Sequence, residues 1–221
     1  AIAAAAMLCV TEPMSTGIGG DCFAIVWHDD KVDGLDAAGP APARAEQLEP
    51  VAEQGPLSVT VPGAVGGWAE LAARYGRLGL DACLADAIDA AERGYAAGWH
   101  TADMWQRTEA PAELGRVPVM GERVVLPELA ATLRGIAEQG PSAFYGGQVA
   151  RAISSVSWLD ETDLGTFRPR WVEPLRLDYR GTEVLELPPP GQGVAALEAL
   201  GLLRGLEPTL ANQVACAKLA L

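Results

Sequence analysis

The stretch Thr16-Gly17-Ile18-Gly19-Gly20-Asp21 constrains this chain more than any other, because it joins two segments of different character. Before it, Ala1 to Val10 is Ala-rich and apolar and reads as helix. After it, Cys22-Phe23-Ala24-Ile25-Val26-Trp27 is rich in apolar and β-branched residues and reads as a buried strand. Glycine tolerates positive φ and lets another backbone come close, so Gly17, Gly19 and Gly20 predict a tight, crowded helix-to-strand turn. A dinucleotide fingerprint needs G-x-G-x-x-G between a strand and a helix. Here the sixth position is Cys22 and the order is reversed. A P-loop needs G-K-[ST], which is absent. What remains is a structural turn, with or without a substrate pocket beside it.

A core large enough to support such a junction is available. Of 221 residues, 49% are hydrophobic and 20% charged, which excludes a disordered chain. The net charge of −13 argues against nucleic acid as a partner, since phosphate binding needs a basic stripe, and against an anionic membrane surface. Ala1 to Val10 has no basic segment before it and reads as a core helix, not a targeting or membrane-inserting segment. Cys9, Cys22, Cys83 and Cys216 form no C-x-x-C pair, and with only His28 and His100 no zinc spacing exists. His28 beside Asp29 and Asp30 reads as a solvated hairpin tip, not a catalytic group.

Val32 to Asp36 reads as the return strand of a hairpin, and Ser58 to Val61 as a short strand. Helices are expected over Ala64 to Tyr75 with Gly76 past its end, and over Ala82 to Arg93 with Asp81 as N-cap and Gly94 beyond. Further helices are expected over Trp99 to Thr108, Pro127 to Gln139, Gln148 to Ser155 and Thr162 to Phe167. Leu175 to Tyr179 and Thr182 to Leu187 alternate apolar and polar residues around Arg180-Gly181, a second hairpin. Helices follow over Val194 to Arg204 and from Thr209 to Leu221. Strands therefore come as antiparallel pairs, giving an α+β class with sheet edges that call for further strands. Neither end carries a helix start or stop signal, so residues 1–221 are expected to be a fragment, one chain of a processed protein, or a chain with further parts.

Several short motifs, each present once, follow one another along the chain. They are Gly17-Ile18-Gly19-Gly20-Asp21-Cys22-Phe23, Ala41-Pro42-Ala43, Val61-Pro62-Gly63-Ala64-Val65-Gly66-Gly67-Trp68 and Ala91-Glu92-Arg93-Gly94-Tyr95. Further along stand Gly140-Pro141-Ser142-Ala143-Phe144-Tyr145-Gly146-Gly147, Asp178-Tyr179-Arg180-Gly181 and Pro188-Pro189-Pro190. In this order and spacing the chain resembles the large subunit of the γ-glutamyltranspeptidase family of N-terminal-nucleophile hydrolases. The resemblance implies a four-layer αββα sandwich formed as one domain with a small subunit cut from the same precursor. It implies a threonine nucleophile at the new N-terminus of that small chain, an oxyanion held by backbone or hydroxyl donors, and no metal or organic cofactor. No residue of this chain is then a catalytic group.

The resemblance places the substrate-binding segment at Asp36-Ala37-Ala38-Gly39-Pro40, with Asp36, Ala38, Gly39 and Arg44 as candidate contacts and Gly17, Gly19 and Gly20 as the pocket-side turn. Transpeptidases of the family hold the substrate α-carboxylate with an arginine where this chain has Ala38, bidentate pairing being the physical reason for that residue type. Arg44 is the nearest arginine in sequence. The resemblance therefore implies an amidohydrolase or acyl transferase acting on a small-molecule amide of a γ-glutamyl or similar small acid. Ala38 points away from γ-glutamyl toward the cephalosporin-acylase-like or oxamate-amidohydrolase-like relatives. A catalytically inactive scaffold with the same sandwich is the reading from another class.

Overall fold

In a computed structural model, which describes residues 1–15, 17–47, 53, 55–107 and 114–221, the Ala-rich start forms α1 (Ile2–Thr11). The glycine turn then leads into a hairpin of β1 (Cys22–His28) and β2 (Lys31–Ala37). A 3-10 turn spans Ala43–Gln47, followed by α2 (Ala64–Tyr75), α3 (Leu80–Arg93), β3 (Tyr95–Ala96) and α4 (Trp99–Trp105). Next come β4 (Arg123–Val124), α5 (Pro127–Gln139), α6 (Ser142–Tyr145), α7 (Gly147–Val156) and α8 (Glu161–Thr166). The chain ends with β5 (Arg170–Val172), β6 (Leu175–Tyr179), β7 (Thr182–Glu186), α9 (Gly193–Leu203) and α10 (Leu210–Ala220). Two compact units result, one of Ala1–Cys22 with Gly39–Arg168 and one of Phe23–Ala38 with Pro169–Leu221. Among the described residues no helix is long and apolar enough to cross a membrane.

The first unit is helical, and α3 is its centre, packed on both α1 and α5. Leu84, Ala87 and Ala91 of α3 are buried at helical spacing, as are Ala130, Leu133 and Ile136 of α5 and Ala6, Cys9 and Val10 of α1. Each buried Leu or Ile contributes about 1.5–3 kcal/mol, so these stripes hold the helices together without strong caps. Pro127 begins α5 at a position whose N–H would be unpaired in any case. Gly94 and Gly140 take positive φ just past α3 and α5. Arg123 then donates from its guanidinium to Arg93 O, placing a cation at the C-terminal end of α3. Asp160 caps α8 through Thr162 N (2.7 Å) and Asp163 N (2.8 Å), and Asp163 returns a bond to Asp160 N (3.0 Å), completing a capping box.

Several expectations need correction in this unit. Asp81 is not the N-cap of α3. The helix begins at Leu80 behind Gly79, and Asp81 lies in the first turn, where its charge still complements the helix dipole. Gly76 ends α2 in extended conformation, not in the left-handed region. Ser58 to Val61 forms no strand, although Val61 N donates to Pro40 O at 3.0 Å. The aromatic segment at α4 splits, with Trp105 buried and Trp99 exposed, and Thr108 lies outside the described residues.

In the second unit β2 is the central strand of the order β1-β2-β5. The β1–β2 turn is Asp29-Asp30, both with positive φ, as a two-residue hairpin loop requires. His28 is exposed beside Asp29, as a hairpin tip should be. β5 pairs antiparallel with β2 in the register Gly34↔Val172, Leu35↔Trp171, Asp36↔Arg170. β5 is not among the strands expected from the sequence. The sequence also predicts β1 as buried, whereas its large side chains Phe23, Ile25 and Trp27 are exposed on one face. Cys22, Ala24 and Val26, on the other face, are half-buried. Hairpin β6–β7 turns at Arg180-Gly181, and α9 packs on both of its strands and on α10.

Candidate functional site

The glycine turn is closed by Gly20 N donating to Gly17 O (3.0 Å). Its role is to offer a carbonyl. Gly20 O accepts from both Gly63 N (2.9 Å) and Ala64 N (2.8 Å), two N–H groups at the start of α2. α2 has Gly63 before it and no side-chain cap, so these donors need a distant acceptor. A third, Gly66 N, donates to Tyr145 Oη (3.0 Å), and Tyr145 in turn donates to Pro62 O (2.7 Å). The motifs Gly17–Asp21, Val61–Trp68 and Phe144-Tyr145 are thus three parts of one joint. Burial pushes the Tyr145 phenol well above the usual tyrosine range, and the Asp21 carboxylate adds to the shift, so the hydroxyl stays protonated and can donate.

The glycines of this turn differ from expectation. None of Gly17, Gly19 and Gly20 takes a positive φ, and a Cβ would find ordinary contact or open space at each. Thr16 lies outside the described residues. The crowding is at Gly39, where a Cβ would stand 1.5 Å from Val61 O. Gly39 N donates to Asp21 Oδ1 (3.2 Å), which ties the Asp36–Pro40 segment's first-unit end to the turn.

Beside the turn lies a cavity of about 660 Å³, lined by Ile18 and Gly19 and, across from them, by Val59, Phe144, Ile153 and Ser157. Its lining is mostly apolar, with hydroxyls as the polar groups, a composition suited to an organic side chain. Arg44 reaches Ser157 O with Nη2 (3.3 Å), while Ala43 N donates to Asp163 Oδ1 (3.0 Å). Burial, and then the neighbouring Asp21, raise the Cys22 thiol, so the reactive thiolate is suppressed.

Asp36 and Ala38 belong to the second unit. The Asp36 side chain is 1% exposed, and both its oxygens are used. Oδ1 accepts from Ala38 N (2.9 Å) and Oδ2 from Arg170 Nη2 (2.6 Å). A buried carboxylate needs such partners. Of the predicted residues, the structure places Gly17, Gly19, Gly20, Gly39 and Arg44 in the first unit and Asp36 with Ala38 in the second. Sequence reading missed Tyr145 and Arg170, which lie 83 and 134 residues from their partners Pro62 and Asp36.

The family model for gamma-glutamyltranspeptidase matches residues 1–218. The chain belongs to the gamma-glutamyltranspeptidase family. It is 35% identical to a glutathione hydrolase-like proenzyme of Bacillus subtilis, over 94% of this chain and 44% of that protein. It is 33% identical to the acylase ACY 1 proenzyme of Pseudomonas sp. strain SE83, over 94% of this chain and 43% of the relative. Among solved structures, cephalosporin acylase from Bacillus halodurans superposes with a TM-score of 0.89 at 41% identity, covering 100% of this chain and 48% of that one. The chain thus spans less than half the length of these relatives, and its mixed helix and sheet fold is that of the family.

Proposed function

We propose that residues 1–221 are the large-subunit part of an autoprocessed N-terminal-nucleophile amidohydrolase that cleaves the amide of a small acid other than γ-glutamyl. The nucleophile is the N-terminal threonine of a small subunit released from the same precursor. It attacks the amide carbonyl, its own amino group or a water taking the proton, and the amine leaves from the tetrahedral intermediate. The observation that carries the specificity is Ala38. A methyl group stands where the family's arginine would grip an α-carboxylate, and a charge-assisted bond of that kind contributes about 1.5–3 kcal/mol. Arg44, the nearest arginine in sequence, lies in the first unit, with Nη2 on Ser157 O. The two proenzyme relatives support processing, and the acylase relatives support a non-γ-glutamyl acyl group. The exposed apolar face of β1 supports a missing neighbour of the kind a small subunit would supply.

Intact mass of the full gene product, with turnover of γ-glutamyl-p-nitroanilide, glutaryl-p-nitroanilide and oxamate, tests this reading. Two fragments that hydrolyse the non-γ-glutamyl amides faster are the expected result. Two fragments that favour the γ-glutamyl amide by tenfold or more would overturn the specificity. A single uncleaved chain, inert on all three, would leave the scaffold reading in its place.

A further inference from the structure

Ala38 removes a cation from the substrate-binding segment, and the second unit returns one from the opposite strand. Arg170 stands directly across the ladder from Asp36. Ala38 follows β2, which ends at Ala37, and its N–H turns back onto Asp36 Oδ1 (2.9 Å). One carboxylate holds both, Oδ1 on Ala38 N and Oδ2 on Arg170 Nη2.

The pair is lopsided in a way that simple charge neutralisation does not require. Asp36 is buried at 1% exposure and has no oxygen left for a ligand, whereas the Arg170 side chain is 68% exposed. Among the described residues Asp36 is the one partner of its guanidinium, engaged through Nη2. A guanidinium carries five donors in a rigid fork, so Nε and Nη1 remain available to a second carboxylate. Burying Asp36 fixes the fork's direction, and an arginine already oriented loses little freedom when it binds.

We propose that Arg170 is the carboxylate-binding residue of this chain, taking the free carboxylate of a dicarboxylic acid monoamide beside Ala38. This rests on the amidohydrolase reading and names its substrate class. Asp36 is the positioning residue that aims the fork.

The test compares glutaryl-p-nitroanilide with butyryl-p-nitroanilide, which differ only by that carboxylate, on the processed full-length protein. The wild type is expected to favour glutaryl by about 10- to 100-fold in kcat/KM, mostly through KM. In the paired variant Asp36→Asn with Arg170→Gln, which avoids an unpaired buried charge, the ratio falls to about 1. If that variant does not fold, Arg170→Lys, which keeps a cation for Asp36 without the fork, lowers the ratio several-fold. A wild type with no preference, or a variant that keeps the wild-type ratio while losing both substrates in parallel, overturns the proposal. Equal turnover of the two amides by the wild type would leave the amidohydrolase reading standing and remove only the clamp. If the protein turns over no amide, glutarate supplies a separate readout. It must raise the unfolding temperature of the wild type and not of the variant, and no shift in the wild type overturns the proposal.

Discussion

Two tyrosine-to-phenylalanine changes in the first unit should differ sharply in cost. Tyr145→Phe keeps the ring, which packs edge-on against Phe144 at 5.1 Å and tilted against Phe167 at 5.4 Å. It deletes only the hydroxyl that donates to Pro62 O and accepts from Gly66 N, leaving two buried backbone groups without partners. Each such group costs about 1–3 kcal/mol, so a total of about 2–6 kcal/mol is expected, a large part of a typical domain's stability. Tyr95→Phe is the control. Its hydroxyl is buried with no hydrogen-bond partner among the described residues, so deleting it costs under about 0.5 kcal/mol or stabilises. Urea unfolding of the full gene product, with midpoint and slope taken from tryptophan fluorescence, measures both. If Tyr145→Phe costs less than about 0.5 kcal/mol, or Tyr95→Phe costs more than Tyr145→Phe, the joint between the glycine turn and α2 does not carry the load assigned to it.

Gly39→Ala should prevent soluble, processed protein from forming. Its new methyl would sit 1.5 Å from Val61 O and 2.4 Å from Val61 C, backbone atoms that cannot turn aside, and normal yield would refute the close approach. Stability should fall at high pH through Cys9, whose thiol burial raises from 9.0 to about 11. The folded state holds that proton more tightly than the unfolded state does. The stabilisation is therefore complete below about pH 9 and is lost as pH rises toward 11. The urea midpoint should decline over that window, and by less in Cys9→Ala. An identical decline in both proteins would refute the assignment.

Local chemistry made most elements legible. Pro127 at the start of α5 and Gly140 beyond it bracket the helix at the expected residues. The Arg180-Gly181 turn and its alternating flanks gave the β6–β7 hairpin. What failed was whatever depends on a distant partner. β5 is three residues long between Pro169 and Pro174, too short for a period to show, and exists because β2 offers it a ladder. β1 looked buried because its composition is apolar. Composition does not record burial, and among the described residues Phe23, Ile25 and Trp27 are exposed.

The candidate site shows the same limit in a sharper form. Along the chain, Ala38 reads as a lost residue, because a linear motif records which side chain occupies a position. Binding depends on which charges occupy a volume. In an antiparallel sheet that volume is filled from both strands, and the register Asp36↔Arg170 brings in a cation from 134 residues away. The signal that could have found it is an imbalance. Asp36 is an acidic residue at the end of a strand whose last four residues are all buried, and a carboxylate there demands a cation. No basic residue follows it before Arg44, which the 3-10 turn carries to Ser157. The partner had to come from another strand. A buried acid without a local counter-charge predicts a long-range pairing, which Arg170 supplies.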